Sequence, residues 1–260
     1  MVTLKEGTAK PERLGREKPM YLRSSGFCPI CEQETEFSSE YDWLRDHFKC
    51  ANCGSIPRER ALMVVIDDLF PNWRMLQIHE TSPGAGGASQ KLRTECAGYT
   101  YSHFDPAVGR SQIHPQGWQN EDVEAMSFLA GSFDIFIAQD VFEHLFHPER
   151  ALKEIERVLA PRGALIMTVP LTKGREPSQR RAVKDVSGAI GHLLEAQYHG
   201  NPINAEGSLV TIDWGYDILS FIAGNSNLLS ALYHFDDLSR GLRAAFLEVI
   251  VAYKIEPPVL

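Results

Sequence analysis

Four of the five cysteines fall into two closely spaced pairs that could bind a metal ion. The pairs are Cys28-x2-Cys31 and Cys50-x2-Cys53, with 18 residues between them. Four thiolates at this spacing suit the tetrahedral coordination that Zn2+ prefers, and a closed set of ligands favours a structural role. An iron site with the same four-sulfur geometry is the alternative. Cys96 lies outside the pairs and is typical of a small buried apolar residue.

A glycine-rich segment, "HETSPGAGGAS" (residues 79–89), is the second candidate site. It follows a short apolar run and contains Gly84, Gly86 and Gly87. The spacing matches neither the dinucleotide motif G-x-G-x-x-G nor a phosphate-binding loop ending in Gly-Lys-Ser/Thr. A turn between a strand and a helix still offers backbone N–H groups to an anionic group such as a carboxylate. The glycines suit a tight turn equally well, so this segment alone leaves both interpretations open.

Strand-like and helical segments alternate after the cysteines and must position these residues. A helix is predicted over residues 58–70, where apolar side chains recur at helical spacing before Pro71. Further helices are predicted over 88–97, 148–160 and 215–224, and strands over 74–80, 98–105, 132–140, 163–170, 228–235 and 246–255. Such an alternation predicts a mostly parallel sheet that is covered on both faces.

Composition divides the chain into three parts. Residues 1–20 are charged and lack hydrophobic periodicity, so we interpret them as a tail. Residues 21–57 form the predicted zinc-binding ribbon, and residues 58–260 form the main domain. Within that domain, residues 171–208 are polar and rich in glycine and proline. A segment of this length after a strand is usually functional or flexible, and we predict a lid or substrate-binding insertion.

The charge balance limits the classes of partner. The net charge is -8, and residues 1–60 carry ten basic and ten acidic side chains. Non-specific nucleic-acid binding depends on Lys and Arg, so nucleic acid is a possible but less favoured partner. We find no stretch suited to a membrane helix and no signal peptide, and we therefore expect a cytoplasmic protein without membrane contact. The ribbon also offers a surface for a protein partner or a homo-oligomer.

Residues 121–170, "EDVEAMSFLAGSFDIFIAQDVFEHLFHPERALKEIERVLAPRGALIMTVP", resemble the later half of the class I S-adenosylmethionine-dependent methyltransferases. The acidic-apolar pair Asp122-Val123, the phrase Ser132-Phe133-Asp134 and residues 139–145 occur in that family's order and spacing. The resemblance covers residues 60–170 well. It implies a Rossmann-like, mostly parallel seven-stranded sheet flanked by helices, with S-adenosylmethionine as the cofactor.

The resemblance also implies which residues contact the cofactor. Glu80 would accept a hydrogen bond from the cofactor's ammonium group, and the inserted "TSP" shifts the glycines that follow it. Asp105 would hold the ribose hydroxyls, although His103 stands where an acidic residue is expected. The predicted cofactor-binding residues are Glu80, Ser82, Gly84, Gly86, Asp105, Asp122, Val123 and Gln139.

Three residues are candidates for catalysis. Sites in open α/β sheets lie beyond the carboxyl ends of the strands, where Asp140 and the pair Glu143-His144 are expected. That pair recurs in the family whatever the substrate, so packing is the competing interpretation for His144. His199 lies in the insertion, from which lids close, and is a candidate base or substrate ligand. A solvated loop histidine is the alternative.

Three functions remain in competition at this point. The first is a methyltransferase that acts on a small molecule or a glycan-type (saccharide) acceptor. The second is an RNA methyltransferase that binds its substrate through the ribbon, and the third is a non-catalytic scaffold or partner protein. Basic residues in the insertion favour an acidic substrate; they are Lys173, Arg175, Arg180, Arg181 and Lys184.

Overall fold

The structure is a computed structural model and describes residues 20–255. The predicted tail therefore lies outside the described residues, apart from Met20. In chain order the elements are β1 (Leu22–Cys28), β2 (Gln33–Ser39), α1 (Leu44–His47), β3 (Lys49–Cys50), α2 (Pro57–Leu69), β4 (Gln77–Thr81), α3 (Gly87–Glu95), β5 (Gly98–His103), β6 (Gln119–Asn120), β7 (Phe133–Gln139), α4 (Pro148–Val158), β8 (Leu159–Thr168), β9 (Gln179–Arg180), β10 (Ala182–Lys184), β11 (Ile190–His192), β12 (Tyr198–His199), β13 (Ser208–Leu209), β14 (Ile212–Asp213), α5 (Ile218–Asn225), β15 (Leu228–Tyr233) and β16 (Val249–Lys254). Short 3-10 turns cover Trp73–Met75, Phe142–His144 and Leu238–Arg240.

The N-terminal module is a three-stranded antiparallel sheet in the order β1-β2-β3. The first cysteine pair lies at the turn between β1 and β2, and the second pair lies at the end of β3. Glu32 follows Cys31 with a φ of 54°, which reverses the chain sharply after the first pair. The two cysteine pairs therefore lie at the same end of the three-stranded sheet.

A central sheet of seven strands follows, in the order β15-β16-β8-β7-β4-β5-β6. Strands β6, β5, β4, β7 and β8 pair in parallel, whereas β16 is antiparallel to both of its neighbours. The prediction of a mostly parallel seven-stranded sheet is confirmed. Because the parallel strands share one direction, the residues that follow β4, β5, β7 and β8 meet at the same edge.

Helices cover both faces of this sheet. Along β7, Ile135 and Ile137 pack into the apolar cluster that contains helix α2, and Phe136 and Ala138 pack into the opposite cluster with α4 and α5. All four side chains are completely buried. Burial of a large apolar side chain contributes roughly 1.5–3 kcal/mol. The continuous apolar run of β7 is thus explained by two buried faces.

Four elements begin three or four residues away from their predicted starts, namely β4, β8, α5 and β16. Strand β4 begins at Gln77, because a 3-10 turn is held by the buried Trp73, whose indole N–H donates to Asp67 at 2.7 Å. Strand β8 begins at Leu159, and the predicted turn before it lies inside the strand. Arg162 has a φ of 65° there, and the register with β7 shifts nearby. An irregularity therefore bends the strand without ending it.

The insertion after β8 consists of short antiparallel strand pairs, β10 with β11, β12 with β13 and β9 with β14. Pairing continues to Asp213, beyond the predicted end of the insertion at residue 208. The Thr211 N–H donates to the Glu143 carbonyl at 2.7 Å and its hydroxyl donates to the Leu145 carbonyl at 2.6 Å. The insertion is therefore fastened to the turn after β7. Within residues 20–255, no helix has both the length and the apolar character needed to cross a membrane.

Candidate functional site

The glycine-rich turn joins β4 to α3 and presents an open surface. A Cβ atom added at Gly84 or Gly86 would meet no atom of the described chain within 4 Å. Gly87 has a φ of 55°, and a Cβ there would lie 2.0 Å from the carboxyl carbon of Glu59. Ser82 also has a positive φ, 53°, and its N–H donates to the Ser102 carbonyl at 2.7 Å. One side of the turn is thus fixed by contacts of Ser82 and Gly87, and the side at Gly84 and Gly86 is open to a ligand.

Glu80 lies beneath this turn and is completely buried. Its carboxylate accepts hydrogen bonds from Ser89 Oγ at 2.8 Å, Tyr99 Oη at 2.7 Å and Gln139 Nε2 at 2.7 Å. Burial raises the pKa of Glu80, and the three donors act in the opposite direction. The predicted cofactor residues Glu80 and Gln139 therefore contact each other and link β4, β5, α3 and β7 below the glycines.

The residues after β5 form the next part of the edge. The Asp105 carboxylate accepts from the Ala107 N–H at 2.8 Å and lies 3.4 Å from His114 Nε2. His103 is buried, and its Nδ1 has no hydrogen-bond partner in the part of the chain that is described. Burial lowers the pKa of His103 to about 4, so its ring is neutral at pH 7. A buried nitrogen without a partner carries a desolvation cost, which a ligand hydroxyl that reached it would remove.

The predicted adenine pair lies in the loop after β6. The Asp122 carboxylate accepts from the Glu124 N–H at 2.9 Å, and Val123 is buried in the same cluster as Phe136. The loop is closed below by Glu121, which is buried and accepts from the Ser127 N–H at 2.9 Å. Asp122 itself is only partly buried. The positions that the resemblance assigned to the cofactor thus lie along one edge of the sheet.

Asp140 follows β7 and binds the N-terminal module. Arg45 of helix α1 donates to both carboxylate oxygens of Asp140 at 2.8 Å, and Arg58 Nε lies 3.5 Å from Oδ2. The Thr168 hydroxyl donates to Oδ1 at 2.9 Å. Only 4% of the Arg45 side chain is exposed, against 21% of Asp140. Asp140 also has a φ of 50°, which turns its side chain towards the module.

Burial raises the pKa of the Asp140 carboxyl, but the guanidinium groups of Arg45 and Arg58 lower it further, so that the net shift is downward. A carboxylate with a lowered pKa is a weak proton acceptor. The predicted catalytic Asp140 is therefore better suited to holding positive charge at this edge than to removing a proton from a substrate.

The two predicted catalytic histidines lie together beside Glu143. His144 Nε2 and His199 Nδ1 are each 3.8 Å from Glu143 Oε1, and the two imidazole rings are perpendicular with centroids 5.3 Å apart. The carboxylate of Glu143 raises the pKa of His199. His144 Nδ1 lies 2.9 Å from the Leu209 carbonyl. The fold thus brings together residues that are 55 positions apart in the sequence.

A cavity of about 230 Å3 opens next to this group. Glu143 and His199 line one part of it, and Lys173, Arg181 and Gln197 of the insertion line another. The cavity lies between the turn after β7 and the insertion, and neither Gln139 nor the glycine turn lines it. It is large enough for a small ligand group but not for a folded macromolecule.

The four paired cysteines converge at the end of the module. All four sulfur atoms lie within 4.8 Å of one another, with Cys28 Sγ 3.8 Å from Cys53 Sγ and Cys31 Sγ 3.9 Å from Cys50 Sγ. Ligands of a tetrahedral zinc ion with Zn–S bonds of about 2.3 Å are separated by about 3.8 Å. The sulfurs therefore fit one such ion. Cys96 is buried elsewhere, below α3.

The module is packed against the main domain through a second arginine. Arg60 of α2 is completely buried and donates to the Phe48 carbonyl at 2.8 Å and to the Gly241 carbonyl at 2.7 Å. Its guanidinium lies 4.7 Å from the centre of the Phe37 ring. Ser24 of β1 donates to the Leu238 carbonyl at 3.0 Å. The inner face of the module is therefore covered by the main domain, including residues 238–241.

Several residues of this edge were not identified from the sequence. They are Arg45, Arg58, Glu59, Ser89 and Tyr99. Arg45 and Arg58 lie in or next to the cysteine module, and their spacing carries no motif. Ser89 and Tyr99 occupy ordinary positions on α3 and β5. The only available signal was the proximity of Glu59 to the start of a helix, where an acidic residue also serves as a cap.

Comparison with known proteins finds a family match in the middle of the chain. Residues 80–167 match the family described as "Methyltransferase domain". A solved structure with a similar fold is an S-adenosylmethionine-dependent methyltransferase from Mesorhizobium loti. It has a TM-score of 0.46 and 14% identity, and the match covers 74% of this chain and 97% of that one.

Two curated relatives come from plants. "Tocopherol O-methyltransferase, chloroplastic" of Arabidopsis thaliana is 29% identical over 104 residues, which are 36% of this chain and 30% of that protein. "Probable tocopherol O-methyltransferase, chloroplastic" of Oryza sativa subsp. japonica is 24% identical over 165 residues, which are 60% of this chain and 45% of that protein. The chain therefore spans less than half the length of these two relatives.

Proposed function

We propose, from the premise that residues 80–167 form a class I methyltransferase domain, that this chain transfers a methyl group from S-adenosylmethionine to a small molecule. One observation carries the proposal. Gln139 points to the network below the open glycine turn, and Glu143, four residues later, lines the cavity. A single short turn thus separates a cofactor edge from an acceptor cavity, as an in-line transfer requires.

Different residues of the chain would bind the methionine, ribose and adenine parts of the cofactor. The open backbone of Gly84 and Gly86 accommodates the methionine part, and Glu80 fixes that turn from below through its three hydrogen bonds. The Asp105 carboxylate, which is 28% exposed, or the unpartnered Nδ1 of His103 would bind the ribose hydroxyls. Asp122 and Val123 hold the adenine. When bound, S-adenosylmethionine supplies a methyl group on a positively charged sulfur, which needs only an aligned nucleophile.

A small acceptor with a reactive oxygen fits the cavity best. The two curated relatives are O-methyltransferases by name, which supports an oxygen nucleophile. Lys173 and Arg181 at the cavity wall offer N–H donors to a polar acceptor. His199 has a raised pKa and partial exposure, and it lies where a proton from an acceptor hydroxyl would be received.

We further propose that zinc stabilises the ribbon and that the ribbon closes one side of the active site. The four sulfurs fit a tetrahedral ion, and no position remains open for a substrate. Arg45 of the ribbon binds Asp140 of the main domain, and Arg60 of α2 binds backbone carbonyls of both the ribbon and the main domain. Arg45 of the ribbon and Arg60 beside it thus bind groups within the chain, which favours a structural role for the ribbon over RNA binding.

Calorimetry with S-adenosylmethionine tests the proposed function. The wild-type protein should bind the cofactor, and Asp122→Ala should weaken binding by about 10- to 100-fold, the loss expected for a hydrogen bond to a charged group. Asp68→Ala is the matched control, because Asp68 is exposed on α2, away from this edge. An absence of wild-type binding at millimolar cofactor would refute the proposal.

A labelling experiment then distinguishes the acceptor classes. Cofactor carrying a labelled methyl group would be incubated with phenolic and carboxylated small molecules, with oligosaccharides and with total RNA. We expect label in the small molecules. Label in RNA alone, with a steep loss on added salt, would replace the small-molecule acceptor by RNA.

A further inference from the structure

Glu143 is a buried carboxylate that lies beside two histidines but makes no hydrogen bond within the described residues. Only 3% of its side chain is exposed, and within residues 20–255 neither oxygen has a hydrogen-bond partner. The cations that line the same cavity are paired with other groups. Arg181 donates to Asp213 at 2.7 Å, and Lys173 lies 2.9 Å from Glu176. A buried carboxylate without a partner is strongly unfavourable, so its surroundings point to a missing positive charge.

The two histidines supply the remaining ligands for a cation. Glu143 Oε1, His144 Nε2 and His199 Nδ1 all lie within 4.8 Å of one another, and each histidine nitrogen is 3.8 Å from the oxygen. Ligands of a tetrahedral ion with bonds of about 2.0–2.1 Å are about 3.4 Å apart. A contraction of about 0.4 Å along the two edges from Glu143 would bring those atoms to this separation, and the edge between the two histidine nitrogens is at most 4.8 Å long.

Hydrogen bonding prepares His144 for this role. Its Nδ1 lies 2.9 Å from the Leu209 carbonyl, which can only accept, so Nδ1 carries the proton. Nε2 therefore offers its lone pair towards Glu143. A histidine that donates its second N–H to a backbone carbonyl is the usual arrangement of a metal ligand. His199 Nε2 lies 3.4 Å from the Gln197 amide, which donates or accepts there according to its orientation.

We infer that Glu143, His144 and His199 bind one divalent transition-metal ion, with its open coordination positions facing the 230 Å3 cavity. Two imidazoles and one carboxylate favour Zn2+, Co2+, Mn2+ or Fe2+ over Ca2+ or Mg2+, which prefer oxygen ligands. This ion is distinct from the one at the cysteines, because the ligand sets share no residue. Its role would be to bind the oxygen of an acceptor and favour loss of the acceptor's proton, and His199 would then be a ligand of the ion in place of the proton acceptor.

That role rests on the proposed function, but binding of the ion does not. The insertion supplies His199, and the turn after β7 supplies Glu143 and His144. Occupancy would therefore hold the insertion against the sheet edge. The acceptor is then expected to be an oxygen ligand of a metal, such as a phenolate, a carboxylate or a hydroxyl beside one of these.

The test is a cobalt titration of the full chain whose cysteine site already holds zinc. Co2+ bound by two imidazoles and a carboxylate should add weak visible absorption at one equivalent, without the strong thiolate-to-cobalt bands that exchange at the cysteines would produce. His199→Ala and Glu143→Gln should each weaken cobalt binding by at least about 10-fold, since even residues that only orient a ligand cost 10- to 100-fold. His192→Ala, an exposed histidine of the same insertion, should bind cobalt like the wild type.

Two results would overturn the inference. One is a wild-type protein, loaded with a single zinc ion at the cysteines, that takes up no cobalt, and the other is an unchanged affinity in His199→Ala. Since His199 is partly exposed, this variant should fold even if Glu143→Gln does not. Calorimetry with S-adenosylmethionine on the same samples separates the two proposals. Cofactor binding without cobalt binding rejects only the metal site, and cobalt binding without cofactor binding rejects only the methyltransferase.

Discussion

The ion pair between Arg45 and Asp140 should contribute measurably to stability, and Arg45→Met tests it. The variant keeps the length of the side chain but removes both 2.8 Å hydrogen bonds to the carboxylate, together with the hydrogen bond from Arg45 Nη1 to the Phe246 carbonyl. Each hydrogen bond to a charged group contributes about 1.5–3 kcal/mol, and breaking a buried pair costs about 3–5 kcal/mol. Arg58 and Thr168 continue to neutralise Asp140. We therefore expect a loss of about 3 kcal/mol.

Urea and thermal unfolding measure this loss. A decrease of about 3 kcal/mol corresponds to a Tm lower by about 6–12 °C for a domain of this size. Arg58→Met is the control, because Arg58 is 29% exposed and its Asp140 contact is 3.5 Å long. It should cost less than about 1 kcal/mol. The reasoning is refuted if Arg45→Met lies within about 0.5 kcal/mol of the wild type.

The pH dependence of this loss provides a second check. The pKa of Asp140 lies below its ordinary value of 3.8, so the unfolded chain binds a proton at a higher pH than the folded one. The contribution of the pair is complete above pH 3.8 and is lost as the pH falls through the folded-state pKa. The difference between wild type and Arg45→Met should therefore be constant from pH 8 to pH 5. A difference that disappears within that range would assign the effect to another group.

Three further predictions concern a buried histidine, the zinc ligands and the glycine turn. Burial lowers the pKa of His79 to about 3 from 6.5, so protonation of the unfolded state reduces stability below pH 6.5, by about 2 kcal/mol at pH 5. His79→Gln should remove that part of the pH dependence in urea unfolding, and an identical dependence in the variant contradicts the assignment. Cys31→Ser should contain one zinc per chain less than the wild type, measured by mass spectrometry, and have a lower Tm, whereas the control Cys96→Ser should keep the wild-type zinc content; equal zinc contents in the two variants would reject the four-cysteine site. Gly87→Ala should cost about 2–3 kcal/mol in urea unfolding, because it combines a φ of 55° with a contact to Glu59, and Gly84→Ala should cost less than about 0.5 kcal/mol. Equal losses at the two glycines would show that the turn differs from the one described.

Much of the fold follows from local patterns in the sequence. The alternation of apolar runs and amphipathic segments predicted the central sheet, because strand and helix periodicities are properties of short windows. The spacing of the cysteine pairs predicted their convergence, since each pair is a local turn and both lie on one small sheet. The phrases between residues 121 and 170 predicted the methyltransferase domain, which the family match over residues 80–167 supports.

The hydrogen bonds inside the candidate site could not be predicted, because they join residues that are far apart in the sequence. Glu80 was expected to face the cofactor, and the structure surrounds it with Ser89, Tyr99 and Gln139 from three other elements. The direct role predicted for Glu80 stays a prediction. Such a network depends on the register between parallel strands, which is set by packing across the whole sheet.

The residue types that carry the chemistry can be read from short stretches of sequence: thiolates for a metal, glycines at a strand end, and histidines near the expected edge. Which of these residues come into contact depends on the tertiary structure. Docking of the ribbon placed Arg45 on Asp140, and the return of the insertion to the turn after β7 placed His199 beside Glu143. Both contacts join residues that are 56 or more positions apart in the sequence, and such long-range contacts form only when the burial of both faces of the sheet offsets the loop entropy.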